Sequence, residues 1–307
     1  MLALEQILNG LQFGVMLFLL SAGLTLVFGV MGLLNLAQGS LYMIGAYAAA
    51  YAGARTGSFI AGILAGITAA AAVGMLTEYL VLRRLYSRSH LDQVLATYGL
   101  ILFFNEGITI LFGRQPLYVD IPASLNGAIQ LATGLSYSTY RLVIIAVGLL
   151  VGIGLYVLIG HTRLGMLVRA GATHREILRA MGTRIRLIYT IVFGLGALLA
   201  GLAGAMAGPV SAVQVGMGEQ ILILTFVVVI IGGLGSVRGA VLGAILVGVV
   251  DTLTRVYLPV LLKTLMSNAS ADAIGGGLSS MGVYLLMALV LLVRPRGLFG
   301  ERIQKFD

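Results

Sequence analysis

The chain has 307 residues, of which 59% are hydrophobic and only 10% are charged, and its mean hydropathy is +1.05. Soluble domains carry about 25% charged residues, so this composition excludes an ordinary soluble domain and predicts an integral membrane protein. The net charge of +8 is not a nucleic-acid signal, because the basic residues concentrate in a few segments between apolar runs. The absence of cysteine excludes disulfides, thiol catalysis and cysteine metal sites.

The apolar runs are about 20 residues long, which suits membrane-spanning helices rather than barrel strands. The first, 11–31, leads into a polar interruption, Asn35-Leu-Ala-Gln-Gly-Ser40, and a second apolar stretch follows at once. Without a hydrophilic loop between the two stretches, the polar segment is expected at or near membrane depth. Non-helical backbone is tolerated there only when it is buried in protein or lines a cavity.

The remaining pattern predicts further spans separated by short connections. These spans cover 58–82, 92–112, 141–160, 187–208, 240–256 and 278–293. Residues 221–231 are apolar but short, and 113–140 and 257–277 are expected to be linkers. The N-terminus lacks a basic region and a cleavage site, so no signal peptide is expected. The fold prediction is an all-α polytopic helical bundle of eight or nine spans with two broken or re-entrant segments, forming a single domain over 1–307.

Topology follows from the distribution of lysine and arginine. One set of segments, 83–88, 161–186, the surroundings of Arg238 and the tail from Arg294, contains 14 of the 19 basic residues. The positive-inside rule places this set in the cytoplasm, with the C-terminus inside and the N-terminus outside.

The most basic segment between apolar runs is 161–186, which contains six arginines. Within it, Thr173 and Glu176 have the spacing of a capping box, and Gly182 falls where a helix C-cap glycine belongs. These signals predict a short surface helix, His174–Met181, shaped to be held by a partner protein. The alternative is an ordinary basic loop that fixes topology.

Two apolar stretches, 35–46 and 232–244, are interrupted by glycine and polar residues, one in each half of the chain. Broken helices in corresponding positions of two halves indicate a translocation path, because they expose backbone groups that receive a polar solute. The alternative is close helix packing around glycine. The predicted path residues are Asn35, Gln38, Gly39, Ser40, Gly232, Gly233, Gly235 and Ser236.

Three acidic residues lie within apolar runs, where charged groups are candidates for function. Glu78 is expected to pair with Arg83, and Asp251 with Arg255. Glu106 is left as a candidate for a proton-linked or substrate-contacting residue in the path.

Motifs for several chemistries are absent. His90, His161 and His174 lack metal-ligand spacing, so no metal site is expected. The sequence contains no P-loop, HExxH or G-x-S-x-G motif, so the chain is not expected to be an enzyme, and any ATP would be hydrolysed by another subunit.

Four stretches resemble the permease subunits of branched-chain amino acid ABC importers, a family whose relatives also serve urea and short amides. They are 23–47, 165–206, 227–250 and the ending RPRGLFG at 294–300, and together they follow the family order over nearly the whole chain. The chain departs from the family pattern at Gln38, where histidine is common, and at Thr183, where isoleucine or valine is usual.

The resemblance implies that the loop at 161–186 carries a coupling helix that docks on an ATPase. The residues expected to form or position that contact are Arg169, Thr173, Arg175, Glu176, Ile177, Leu178, Arg179, Met181 and Gly182. The implied partners are two cytoplasmic ATPase subunits that bind ATP, a homologous second permease subunit and an extracytoplasmic solute-binding protein. The implied location is the bacterial or archaeal plasma membrane, and this chain itself is expected to bind no cofactor.

The function expected from this resemblance is ATP-driven import of branched-chain amino acids. Import of urea or short amides by the same architecture is one alternative. An ATP-independent secondary transporter or channel that uses Glu106 is another. A membrane enzyme has no support, since no nucleophile, base and orienting group assemble from this sequence.

Overall fold

The computed structural model describes residues 2–86, 88–132, 135–173 and 184–300, and helices dominate this part of the chain. The helices are α1 (Leu2–Met31), α2 (Gln38–Thr56), α3 (Phe59–Leu80), α4 (His90–Phe112), α5 (Thr139–His161), α6 (Arg163–Thr173), α7 (Ile185–Ala207), α8 (Met217–Gly232), α9 (Val237–Leu265) and α10 (Asn268–Val293). A short 3₁₀ turn, Leu82–Arg84, follows α3. The predicted all-α polytopic bundle is confirmed.

Seven helices of the described chain are long and apolar enough to cross a membrane, namely α1, α3, α4, α5, α7, α9 and α10. The apolar helix α8 is shorter, with 16 residues, and α2 has 19 residues rich in alanine and glycine. The chain is therefore a multi-pass membrane protein. The number of crossings stays a prediction, because it depends on whether α2 and α8 span the bilayer.

Two expected linkers contain regular structure. The prediction for 257–277 was wrong, since α9 continues to Leu265 and α10 already begins at Asn268. The polar residue Thr264 is compatible with helix there because its hydroxyl bonds to the backbone of its own helix, donating to the Leu261 carbonyl at 2.7 Å.

The linker 113–140 contains a β-hairpin that the sequence analysis did not predict. Strands β1 (Ala128–Ala132) and β2 (Leu135–Ser138) pair antiparallel, with Ile129 opposite Tyr137. The Thr139 N–H bonds to the Gly127 carbonyl at 2.9 Å, so the hairpin leads directly into α5. A second backbone pairing in the same linker joins Leu117 to Val213.

The chain divides into two compact units, and each is described by itself. The first unit contains the described residues of 1–18, 123–149 and 224–300, and the second contains those of 19–122 and 150–223. In the first unit, glycines of α1 lie against the backbone of α9: a Cβ at Gly10 would lie 2.7 Å from the Val249 Cα, and one at Gly14 would lie 2.7 Å from the Ala244 carbonyl oxygen.

In the second unit, α2, α3 and α7 pack through small residues. Cβ atoms added at Gly45 and Gly204 would collide with the backbone of Gly201 and Tyr42, respectively. One added at Gly66 would lie 2.6 Å from the Gly45 carbonyl oxygen. Small residues let helix backbones approach closely, and this closeness supplies packing energy where lipid supplies no hydrophobic driving force between helices.

This packing predicts that Gly204→Ala destabilises the chain. The added methyl group has no space beside the Tyr42 carbonyl, and overpacking of this kind costs about 1–3 kcal/mol. Equilibrium unfolding in mixed detergent micelles measures the change. Gly99→Ala in α4 is the matched control, because its Cβ meets nothing within 4 Å. Equal stability of the two variants would contradict the packing described here.

Candidate functional site

The first predicted break separates α1 from α2. Helix α1 ends at Met31, Gly32 takes a positive φ of 65°, and the chain becomes helical again at Gln38. The side chains of Asn35, Gln38 and Ser40 are buried, and the first two are completely inaccessible to solvent. The polar segment therefore interrupts the helix as predicted, and it lies inside protein in this conformation.

Hydrogen bonds account for the burial of the Asn35 and Gln38 side chains. The Asn35 Oδ1 accepts from the Ala37 N–H at 3.1 Å, and its Nδ2 donates to the Gln38 Oε1 at 3.3 Å. The Gln38 Nε2 in turn donates to the Gly196 carbonyl at 2.9 Å. Gln38 thus ties the start of α2 to the middle of α7, and a buried amide keeps its partners. Beside it, the backbone of Gly39 approaches that of Gly218 so closely that neither position has room for a Cβ.

The second predicted break separates α8 from α9. Helix α8 ends at Gly232, and Gly233 and Gly235 have φ angles of 101° and 85°, a region that favours glycine. Ser236 is the N-cap of α9, and its hydroxyl oxygen accepts from the Gly239 N–H at 3.1 Å. The segment is therefore a tight turn between two helices.

The residues of the RPRGLFG ending lie against this second break. The Leu298 N–H donates to the Ile231 carbonyl at 2.8 Å, and the Phe299 N–H donates to the Gly232 carbonyl at 3.0 Å. These bonds satisfy carbonyls that the end of α8 leaves without an intrahelical partner. A Cβ at Gly233 would lie 2.5 Å from the Gly300 nitrogen, so glycine is also required for the approach.

The two breaks share the letters Gly-Ser but differ in structure. Ser236 precedes its helix and caps it, whereas Ser40 already lies within α2, whose N-cap, Ala37, makes no side-chain capping bond. The Gly-Ser pairs of the two stretches therefore do not occupy equivalent positions in their helices. The assignment of these residues to a translocation path stays a prediction.

Glu106 lies on an exposed face of α4, and the neighbouring Asn105 is half-buried. The Asn105 amide donates to the carboxylate of Glu219, in the first turn of α8. The N-terminal end of a helix dipole favours an acidic residue at that place. Sequence analysis did not single out Glu219, since nothing in its local sequence shows that it meets α4.

The predicted ion pairs of two intramembrane acids are confirmed. The Asp251 carboxylate accepts from the Arg255 Nε at 2.7 Å. The Glu78 carboxylate, which is completely buried, lies 3.4 Å from the Arg83 Nη2. The Glu78 carboxylate also accepts from the hydroxyls of Tyr86, at 2.5 Å, and Thr190, at 2.6 Å. Burial, aided by the hydrogen bond to Glu78, raises the pKa of the Tyr86 hydroxyl above its usual value, so it remains a donor.

Most of the predicted coupling residues lie outside the described part of the chain. Residues 161–173 and 184–186 of the coupling loop are described, and most of them form α6, a helix that sequence analysis did not predict. The Arg169 guanidinium in α6 donates to the Ile159 carbonyl near the end of α5. Helix α6 ends at Thr173, and the structure describes the backbone of that residue but not its side chain. The other predicted positions lie outside the described residues entirely: Arg175, Glu176, Ile177, Leu178, Arg179, Met181 and Gly182.

The chain matches the family described as the branched-chain amino acid transport system / permease component over residues 6–293. It is 28% identical to the high-affinity branched-chain amino acid transport system permease protein BraD of Pseudomonas aeruginosa, over 97% of this chain and 96% of that protein. It is 27% identical to the permease protein LivH of the same kind of system in Escherichia coli K12, with the same coverage.

A relative from a third organism gives a similar match. The probable branched-chain amino acid transport permease protein LivH of Methanocaldococcus jannaschii is 27% identical over 93% of this chain and 89% of that protein. No solved structure matches the chain. The family and these relatives are transport components rather than enzymes. Because the family match extends over nearly the whole length, the chain belongs to the branched-chain amino acid transport permease family.

Proposed function

We propose that this chain is the membrane-spanning permease subunit of an ATP-driven importer of branched-chain amino acids. The observation that carries the proposal is the family match over residues 6–293, together with relatives of that named function that align along nearly the whole chain. The seven long apolar helices of the described chain support a role within the membrane.

The proposed importer contains other subunits. The sequence has no P-loop, so ATP binds to two cytoplasmic ATPase subunits and this chain binds no cofactor. A homologous permease chain completes the membrane part, and an extracytoplasmic binding protein delivers the amino acid.

The order of the helices supports the proposed orientation in a bacterial or archaeal plasma membrane. If α1–α5 and α7–α10 each cross once, consecutive connections lie on alternate sides. The segments 83–88, 161–186, 233–236 with Arg238, and the chain after α10 then share one side. These are the segments with 14 of the 19 lysines and arginines, so that side is cytoplasmic and the N-terminus is outside.

In the proposed mechanism, closure of the ATPases pushes the predicted coupling helix, His174–Met181. Arg169, Arg175 and Arg179 contact the ATPase surface, and Ile177, Leu178 and Met181 occupy its apolar cleft. This movement shifts the permease between outward-open and inward-open states, and the two helix breaks and Glu106 line the path. The differential contacts of the two states with ATP-bound and ATP-free partners supply the energy of the shift.

The direct experiment is uptake by the complete importer in lipid vesicles. Labelled leucine, isoleucine or valine is expected to accumulate only when ATP is present on the ATPase side and the loaded binding protein is present on the other. Urea and acetamide serve as competitors. Strong competition by them would indicate the alternative cargo, and accumulation driven by a pH gradient or membrane potential without ATP would contradict the proposal.

Substitutions in the predicted coupling helix are expected to uncouple ATP hydrolysis from transport. Glu176→Ala combined with Arg179→Ala removes a charge of each sign from the proposed ATPase contact. Uptake per ATP hydrolysed is expected to fall about tenfold, because coupling between two sites typically changes an equilibrium by about 5- to 150-fold. Asp120→Ala with Arg114→Ala, in the linker before α5, makes the same charge change as a control. Wild-type transport by the first pair would show that the docking assignment is wrong.

The proposed path predicts that access to the first break depends on the transport state. Gln38 is inaccessible in this conformation, and the chain has no natural cysteine to interfere with labelling. A Gln38→Cys variant is expected to react slowly with a small water-soluble thiol reagent at rest and several-fold faster during ATP-driven transport. Ala203→Cys, buried in α7 and outside the predicted path, is the control. Complete protection of position 38 in every state would indicate packing alone.

A further inference from the structure

A buried polar network joins the end of α3 to the beginning of α7. At its centre is the carboxylate of Glu78, which has no solvent-accessible surface. Its Oε1 accepts from the Tyr86 hydroxyl at 2.5 Å and from the Arg83 Nε at 3.5 Å. Its Oε2 accepts from the Thr190 hydroxyl at 2.6 Å and from the Arg83 Nη2 at 3.4 Å. Both oxygens of a costly buried charge are therefore satisfied.

Thr190 is the residue that makes this network a link between distant segments. Its hydroxyl oxygen accepts from the Arg83 Nη2 at 2.9 Å, which leaves its one proton for donation. The carboxylate at 2.6 Å is the closer and charged acceptor, whereas the Arg186 carbonyl lies at 3.0 Å. The geometry therefore favours a short, charge-assisted hydrogen bond between residues 112 positions apart in sequence.

One aromatic contact joins the same two segments, and a second holds Arg83 in the turn after α3. The Tyr86 ring meets the Tyr189 ring edge-to-face, with 5.1 Å between centroids. The Arg83 guanidinium lies over the Tyr79 ring at 4.6 Å from its centroid. Consecutive residues of α7, Tyr189 and Thr190, are thus both held by the residues that end α3 and follow it.

The same two helices stay in close contact farther along. A Cβ at Gly74 would collide with the Ala197 side chain, and one at Gly201 would lie 2.9 Å from the Gly66 carbonyl oxygen. These approaches extend the contact between α3 and α7 beyond the network.

We propose that the Glu78 network anchors α7 to α3 so that movement of the predicted coupling helix, His174–Met181, is transmitted into the helix bundle. In sequence, Thr190 lies nine residues after Met181, where that helix is predicted to end. The inference rests on the proposed function, and it makes Glu78, Tyr86 and Thr190 positioning residues for coupling.

The charge of the Glu78 carboxylate supports a role in fixing the position of α7 relative to α3. An apolar contact would also hold two helices together, but it accepts small shifts at little cost. A carboxylate with four directed donors fixes one relative position, because any shift leaves a buried charge incompletely paired. This is the property that a mechanical connection requires.

The test uses the complete importer in vesicles, with uptake and ATP hydrolysis measured together. Thr190→Val keeps the shape and removes the hydroxyl, and Tyr86→Phe removes the other neutral donor. Each is expected to keep the associated ATPase subunits and their hydrolysis but to lose about tenfold in uptake per ATP, since hydrogen bonds to charged groups are strong. Thr190→Ser, which restores the hydroxyl, is expected to restore coupling.

Matched controls separate the network from general effects of these substitutions. Thr68→Val in α3 removes a hydroxyl that bonds only within its own helix, and Tyr98→Phe changes an exposed tyrosine of α4. Both control variants are expected to have the wild-type uptake per ATP hydrolysed. Wild-type uptake per ATP in Thr190→Val and Tyr86→Phe would overturn the proposal. A wild-type complex without ATP-dependent uptake would instead reject the proposed function.

If those variants do not assemble into the importer, a cross-link between the two segments tests the proposal instead. Tyr86→Cys with Tyr189→Cys loses the contact, and a short bifunctional thiol reagent restores a connection in a chain with no other thiol. An anchor predicts that cross-linking recovers uptake per ATP. A cross-link that blocks transport would show that the two segments move relative to each other, and the proposal would be wrong.

Discussion

Backbone N–H and C=O groups that are buried away from water need hydrogen-bond partners, so every buried break in a helix must find them within the protein. Both breaks in this chain meet that requirement in different ways. At the first, the side chains of Asn35 and Gln38 bond to the turn, to each other and to the Gly196 carbonyl. At the second, the backbone of Leu298 and Phe299 supplies donors to the exposed end of α8.

The same requirement makes small residues necessary next to the breaks. The Gln38 bond to α7 is possible because glycines let the helices approach, as at Gly45 and Gly201 and at Gly204 and Tyr42. The close backbones and the satisfied polar groups together fix how the helices pack around the first break. A transporter can use such a segment, since a break whose partners exchange between states changes its access to solute without exposing backbone to lipid.

The sequence predicts those features that depend on neighbours along the chain. Span positions follow from apolar runs, and the pairs Glu78 with Arg83 and Asp251 with Arg255 follow from spacing of four or five residues. The length of α9 was missed because Lys263 and Thr264 look like linker residues, although the Thr264 hydroxyl bonds within the helix.

Contacts between distant segments could not be predicted in this way. The Glu78–Thr190 and Asn105–Glu219 bonds join residues more than a hundred positions apart, and no local pattern marks either partner. The contact between the RPRGLFG ending and the glycine turn at 233–235 is likewise invisible in a single sequence, since it is made by backbone atoms. The two motifs match the resembled family separately, and only the fold shows that they meet.

The most direct test of the account is to isolate the tagged chain from its native membrane under mild conditions and to identify the proteins that remain bound. The account predicts a pair of P-loop ATPases and a homologous membrane subunit in fixed proportion. A chain that purifies alone, and that still moves solute in vesicles without ATP, would contradict it and would turn attention to Glu106.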